Sequence, residues 1–548
     1  MKRFTLIAAF CLDVLIGAAS WASESPRNII FVLVDDLRFD GMGFLQPDVK
    51  TPNIDKLAEQ GTYFPNAVVT SSLCSPSRAT ILTGMTARNH GVVDNNNSTE
   101  EGLHFFPEYL QQAGYQTGFF GKWHMGDHHD GPRAGFDRWV SFAGQGAYFP
   151  TDSIPPHLLE QGYVNQINVD GQHVDQRGYI TDELTDYALE WLQNGRDQDE
   201  PFFLYLSHKA VHSDAKPAPR HQGMYNDTNF KLPDSSVVTD EDQRNKPMWV
   251  HNQRNSWHGL DFFYASDRKM TDYLRDYYGA LAAVDESLGR LLAYLRDNGL
   301  EKDTMLVFYS DNGFLIGDHG LIDKRNAYEG SVRVPMVVYA PGMVPAGKTN
   351  EVVVRNLDLA PTFLELAGTD LPEQFEGKSF LPLATGAVKP ADWDTPDFVY
   401  EYFWEWSFPM TPTTFAIRRG DLKYIQYHGI WDIEDLYDLK SDPEERVNRV
   451  HDESLAPQLQ ELRVALYDQL RSSSGKNVVP YTARLAEGMN LRDKNGPTAA
   501  PFPDNWLTVP NRKDKYLGLF PNTPLKRQKQ EAGELYFPYM ENMQEASK

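Results

Sequence analysis

Cysteine is nearly absent: only Cys11 and Cys74 occur in 548 residues. So few thiols exclude a disulfide framework, and stability must come from a buried core. Positive charge is also short. The chain has 52 Lys and Arg against 76 Asp and Glu, a net charge of −24. A surface that acidic argues against a general binder of nucleic acid or of anionic membrane. It leaves room for a small anionic ligand, because a local cationic pocket can outweigh the global field. Beyond the first residues no apolar run is long enough to span a bilayer, and no internal repeat is visible. What is present is an ordinary globular composition, 41% hydrophobic and 12% aromatic, in a chain long enough for a large domain plus a smaller one.

Met1-Lys2-Arg3, the apolar stretch Phe4 to Ala19 and the small-residue end Ser20-Trp21-Ala22 read as a signal peptide over residues 1–22. Phe10 before Cys11 does not suit a lipoprotein cleavage site. The expected product is exported, periplasmic or extracellular, with no membrane partner. Removal of the leader leaves Cys74 alone. Counted by itself, that cysteine suits an inert core thiol as well as a reactive one.

The apolar runs Asn28 to Val34, Thr117 to Phe120, Phe202 to Leu206, Met305 to Tyr309 and Val334 to Tyr339 read as buried strands of a parallel sheet. Helical stretches alternate with them. Thr51 can cap a helix whose first turn holds Pro52 and which Gly61 can end. Leu274, Tyr278, Leu281, Ala282, Leu288, Leu292 and Leu295 form one apolar stripe. The expected fold is α/β, a large, mostly parallel mixed sheet with helices on both faces, over residues 23–390. A smaller C-terminal α+β subdomain with an antiparallel sheet is expected over 391–475. Its strands are Phe398 to Trp406, Thr414 to Ile417 and Leu422 to Tyr427, and its helix Pro457 to Leu470. Residues 476–548 read as a loop-rich tail.

Ligands of an open parallel sheet bind beyond the carboxyl ends of its strands. Asp35-Asp36 follow the first run, Lys122 and His124 the second, His208 and His212 the third, and Asp311-Asn312 the fourth. Asp35, Asp36, Asp311 and Asn312 offer oxygen alone, a donor set for a hard cation such as calcium or magnesium rather than zinc. Taken singly, each aspartate is equally a helix cap. Ser75-Pro76 start a helix and Gly84 stops it, so Cys74 stands at a helix N-terminus that favours anions. Arg78 lies one turn in, facing back. A thiol so placed is expected to be acidified and reactive.

Cys74-Ser75-Pro76-Ser77-Arg78, followed by Leu82-Thr83-Gly84, resembles the signature of the type I sulfatases, formylglycine-dependent members of the alkaline phosphatase superfamily. Further blocks resemble that family in its order. They are Asp35-Asp36, Gly121-Lys122-Trp123-His124, Asp311-Asn312-Gly313, His319-Gly320 to Lys324, Tyr328-Glu329 and Arg333-Val334-Pro335. Leu436-Tyr437-Asp438-Leu439 and Asp442-Pro443-Glu444 resemble its C-terminal part.

The resemblance implies that a formylglycine-generating or sulfatase-maturating enzyme oxidises Cys74, and that the hydrated aldehyde attacks sulfur, releasing alcohol and then sulfate. It implies one Ca2+ on Asp35, Asp36, Asp311 and Asn312. Arg78 would orient the nucleophile, Lys122 and Lys324 bind sulfate oxygens, His124 act as base and His212 as acid. Of the two histidines after the third strand, His212 is chosen because the chain has had room to turn into the site. His208 is assigned to packing and Lys209 to a solvated turn. The expected substrate is a sulfated carbohydrate, as for bacterial enzymes that act on sulfated polymers. The aromatic segments Trp139 to Tyr148 and Trp249 to Phe263 either line a sugar cleft or pack the core. A phosphonate or phosphate monoester hydrolase, and a non-catalytic carbohydrate-binding protein on the same scaffold, are the alternatives.

Overall fold

The computed structural model describes residues 28–472 apart from 100–101, 127–128, 238–244, 255, 257, 261–268, 406–407 and 430–431. The expected leader and the tail 476–548 lie outside the described residues, as do Trp257, Phe262, Phe263 and Trp406.

Six strands form the middle of a ten-stranded sheet: β1 (Asn28–Val34), β2 (Gln116–Lys122), β3 (Arg138–Phe142), β4 (Phe202–Ser207), β5 (Thr304–Ser310) and β6 (Met336–Tyr339). Their order across the sheet is β6-β5-β1-β4-β2-β3. All neighbours from β5 to β3 are parallel. β6 is not: it runs antiparallel to β5, which corrects the reading of the run Val334 to Tyr339 as a further parallel strand. Periodicity fixes which face a residue takes but not the direction of its strand.

Every residue of β1 is buried, and its side chains alternate between two cores. Ile30, Val32 and Val34 meet a layer that includes helices Pro52–Gln60, Ile180–Glu190 and Met270–Asp297. Ile29, Phe31 and Leu33 meet Cys74–Thr83, Phe106–Gln112 and Leu359–Leu366 on the other side. Each such side chain contributes roughly 1.5–3 kcal/mol by leaving water, so the sheet is a rigid platform. Trp139 lies in β3 and stacks on Phe119 at 4.6 Å, and Trp249 packs edge-on against Tyr427 at 5.5 Å. Both tryptophans belong to the core.

A four-stranded antiparallel sheet follows, in the order Phe398–Tyr402, Thr414–Arg419, Leu422–Tyr427 and Asp435–Asp438. Helix Ala456–Ser472 packs on it through Leu459, Leu462, Leu466 and Leu470. Among the described residues no helix is long and apolar enough to cross a membrane. Because β1, β2, β4 and β5 are mutually parallel, their carboxyl ends share one edge.

Candidate active site

Four strand ends and one helix start build the site. Asp35 continues β1 and is pinned by the segment that follows β4: its N–H donates to Ala210 O (2.9 Å) and its carbonyl accepts from Val211 N (2.7 Å). Asp36 then turns into left-handed backbone, φ 60°. Its N–H donates to Asp311 Oδ1 (3.1 Å) and its carbonyl accepts from Tyr277 Oη (2.7 Å). Such strain in a non-glycine residue concentrates at functional sites, and His124 after β2 shares it with φ 54°. Gly121 sits at φ 125°, where a Cβ would lie 1.8 Å from Ser207 O, so only glycine lets β2 approach β4 and deliver Lys122. Cys74 is the first residue of a wholly buried helix that Gly84 ends in left-handed backbone, as the sequence predicts.

The side chains converge. Oxygens of Asp35, Asp36 and Asp311 lie within 4.8 Å of one another, and so do Asp35 oxygen, Cys74 Sγ and a His212 nitrogen. Cys74 Sγ donates to Asp35 Oδ1 at 3.5 Å and accepts from Lys324 Nζ (3.0 Å) and Lys122 Nζ (3.6 Å). Lys122 also donates to Asp35 and to Gln145 Oε1 (2.5 Å), and Lys324 to Asp36. Arg78 donates through Nε to Asp311 Oδ2 (2.9 Å) and through Nη1 to Lys122 O and Ser207 Oγ (both 2.7 Å).

Burial sets the electrostatics. It would raise Asp35, but Lys122, His212, Arg78 and Lys324 hold that carboxyl well below its usual range. Burial and the Asp35 charge push Asp311 up to about 7 against Arg78. Burial, then Lys122, holds both His124 and His212 well below 6.5, so both rings rest neutral. The Cys74 thiol is not acidified. Burial, then the Asp35 charge, pushes it up to about 12, so desolvation outweighs the helix terminus and the two lysines.

His212 and His208 part company. His212 Nδ1 donates to Ser213 O (2.7 Å), and its Nε2 lies 3.8 Å from Asp36 Oδ2. His208 turns away into the helical layer, 3.2 Å from Ser287 Oγ. Lys209 is not in a solvated turn. It is 5% exposed, with Nζ 4.8 Å from the centre of the Tyr148 ring. Burial, then Lys122, lowers it to about 8. Gln145 and Tyr148 reach the site from the loop after β3, at the end of the segment Trp139 to Tyr148 that the sequence left open between cleft lining and core.

The donor set fits a hard cation. Beside the three clustered carboxylates, Asn312 Oδ1 is buried without a hydrogen-bond partner, a lone pair that a cation would use. Position 74 likewise fits an oxygen-bearing group, since two ammonium donors and a carboxylate acceptor already surround it.

Comparison with known proteins agrees with this geometry. The profile of the family described as Sulfatase matches residues 27–369. That of N-sulphoglucosamine sulphohydrolase, C-terminal, matches residues 317–473. An N-acetylglucosamine-6-O-sulfatase of Bacteroides thetaiotaomicron is 33% identical over 502 residues, covering 81% of this chain and 86% of its own. Human N-acetylglucosamine-6-sulfatase is 31% identical over 440 residues, covering 76% and 74%. A solved protein in complex with its substrate D-glucosamine-2-N,6-O-disulfate superposes with a TM-score of 0.71 at 31% identity, covering 82% of this chain and 98% of its own.

Proposed function

This chain belongs to the sulfatase family, and we propose that it removes the 6-O-sulfate of a glucosamine-type sugar in a sulfated carbohydrate. The observation that carries this is the seat of Cys74: a sealed position with Lys324 and Lys122 at 3.0 and 3.6 Å and metal-ready carboxylates beside it. The 6-sulfatase names of two relatives and the 6-O-sulfated substrate of the solved neighbour support the sugar and position.

Formylglycine made from Cys74 by a maturation enzyme supplies the oxygen nucleophile that a buried, protonated thiol cannot. Asp35, Asp36, Asp311 and Asn312 would hold a divalent cation, which we assign as calcium and which would supply positive charge to the site. The remaining work falls to side chains. Lys122 and Lys324 donate to sulfate oxygens as charge grows on them. Arg78, fixed by Asp311, Ser207 and the Lys122 carbonyl, orients the group at position 74. His124 is neutral at rest and suits a base. His212 presents Nε2 to the site because Nδ1 is engaged by Ser213. A bound sulfate anion opposes the effect of Lys122 on that ring and favours the protonated form, which then gives its proton to the leaving oxygen.

The test is sulfate release from N-acetylglucosamine 6-sulfate by exported, matured protein, with an aryl phosphate and a phosphonate ester alongside. Turnover of the sulfated sugar is expected to dominate. Cys74→Ala should lose on the order of 10³-fold or more, and the wild-type Cys74 peptide should carry the aldehyde mass. Phosphate or phosphonate turnover above sulfate turnover, or an active Cys74→Ala protein, sinks the assignment.

A further inference from the structure

Lys209 differs from the other cations of the site. Arg78 is paired with Asp311, Lys122 with Asp35 and Gln145, and Lys324 with Asp36. The Lys209 carbonyl accepts from His212 N–H (3.1 Å), but its ammonium makes no hydrogen bond or ion pair among the described residues and touches only the Tyr148 ring. Lys209 is nonetheless 5% exposed. Its ammonium rests on the Tyr148 face, and Tyr148 Oη donates to His212 O at 2.8 Å. The backbone of the same segment is bonded to Asp35. The ring that carries the ammonium is thus tied to the His212 backbone, on the His212 flank of the site.

An ammonium on a nearly buried side chain gives up part of its hydration without an ion pair in return, and contact with one aromatic face offsets only part of that loss. An apolar side chain of the same length would pack on Tyr148 at no such penalty. What the lysine adds is a donor with no protein oxygen to bind, held just beyond a rigid strand end. That is how a site prepares for charge that arrives with the substrate. The two lysines beside Cys74 already spend contacts on Asp35 and Asp36, whereas Lys209 is uncommitted.

We propose that Lys209 is a substrate-contacting cation, its ammonium donating to an oxygen of the bound sulfate ester on the His212 side. The proposal rests on the sulfate-ester function above.

Lys209→Met keeps the stem and removes the charge, and Lys209→Arg keeps the charge. In the matured, calcium-loaded protein, Lys209→Met should lower kcat/KM on a sugar bearing a single sulfate at least about tenfold. It should weaken binding of inorganic sulfate, measured by calorimetry, by a similar factor. Its Tm should stay level or rise, because the ammonium removed has no ion pair or hydrogen bond to lose. Lys209→Arg should recover part of both losses. A Met variant within twofold of wild type in turnover and sulfate binding overturns the proposal. So does a fall in Tm that accounts for the lost activity, or a loss confined to sugars carrying a second anionic group. If wild type cleaves no sulfate ester, the functional assignment fails instead, and sulfate binding by wild type against Lys209→Met still decides the role of Lys209.

Discussion

One continuous segment, Lys324 to Glu329, serves two buried charge clusters built on opposite plans. At its far end Glu329 accepts from Lys423 Nζ (2.8 Å) and Arg418 Nη1 (3.3 Å), with Arg333 3.7 Å away. Lys423 also pairs with Glu445 at 2.5 Å and donates to Ala327 O at 2.7 Å. The Glu329 N–H donates to Glu445 Oε2 at 2.6 Å. This cluster joins the small antiparallel sheet to the main body, and its charges answer one another. At the near end Lys324 enters the candidate active site, where Asn312 Oδ1 is buried without a hydrogen-bond partner and the Lys209 ammonium meets only the Tyr148 ring among the described residues. Both clusters are buried and both mix carboxylates with cations. Paired charges mark the one that holds the fold, and unmet ones mark the one that binds.

Removing one partner from the paired cluster should have the largest effect on stability. Lys423→Met leaves Glu329 and Glu445 buried with too little positive charge, and loss of about 3–5 kcal/mol is expected in denaturant unfolding. The rate per folded molecule should remain within twofold. A variant as stable as wild type but catalytically weak would invert the comparison. The incomplete cluster should respond to its ion instead. Calcium at a hundredfold excess over its Kd should add about 2.7 kcal/mol, read as a Tm rise on returning calcium to chelated protein. Asn312→Leu should shrink that rise without matching the damage of Lys423→Met. No Tm change on chelation and return would remove the ion from the site.

The sequence carried the strand-end residues because parallel strands must place their carboxyl ends on one edge. The residues after each apolar run therefore met without any knowledge of the loops. Asp35, Asp36, Lys122, His212, Asp311 and Asn312 were legible in this way. Gln145 and Tyr148 lay in a segment read as either cleft lining or core, and nothing local decides between the two, since a loop after β3 swings them in. Lys209 was misread because its neighbourhood looks like a turn, and only the packing of Tyr148 against it reveals burial. Cys74 shows a different limit. Its place at a helix start was readable, but the sign of its pKa shift depends on how completely the site is sealed. Glu329 shows a third. It lay in a block resembling the family, yet the resemblance does not separate a residue that joins the two sheets from one that meets substrate.

The subtlest contrast is in pH. Burial alone would raise the Glu329 carboxyl, but Lys423, Arg418 and Arg333 hold it below the ordinary 4.5. A carboxyl depressed in the folded state stabilises fully above its unfolded pKa and loses that contribution as pH falls. Wild type should therefore exceed Glu329→Gln in Tm above about pH 4.5, with the neighbouring Glu445 carboxyl, pushed up to about 7 by burial and by Glu329, shaping the margin nearer neutrality. Between there and pH 2 the margin should close. Tm measured across that range for both proteins, in chelator so that the metal site does not contribute, checks this directly. If the two curves stay parallel to pH 2, the charge on Glu329 does not stabilise the fold. The cluster joining the two sheets would then be paired in geometry only, and the distinction from the site around Lys209 and Asn312 would lose its energetic basis.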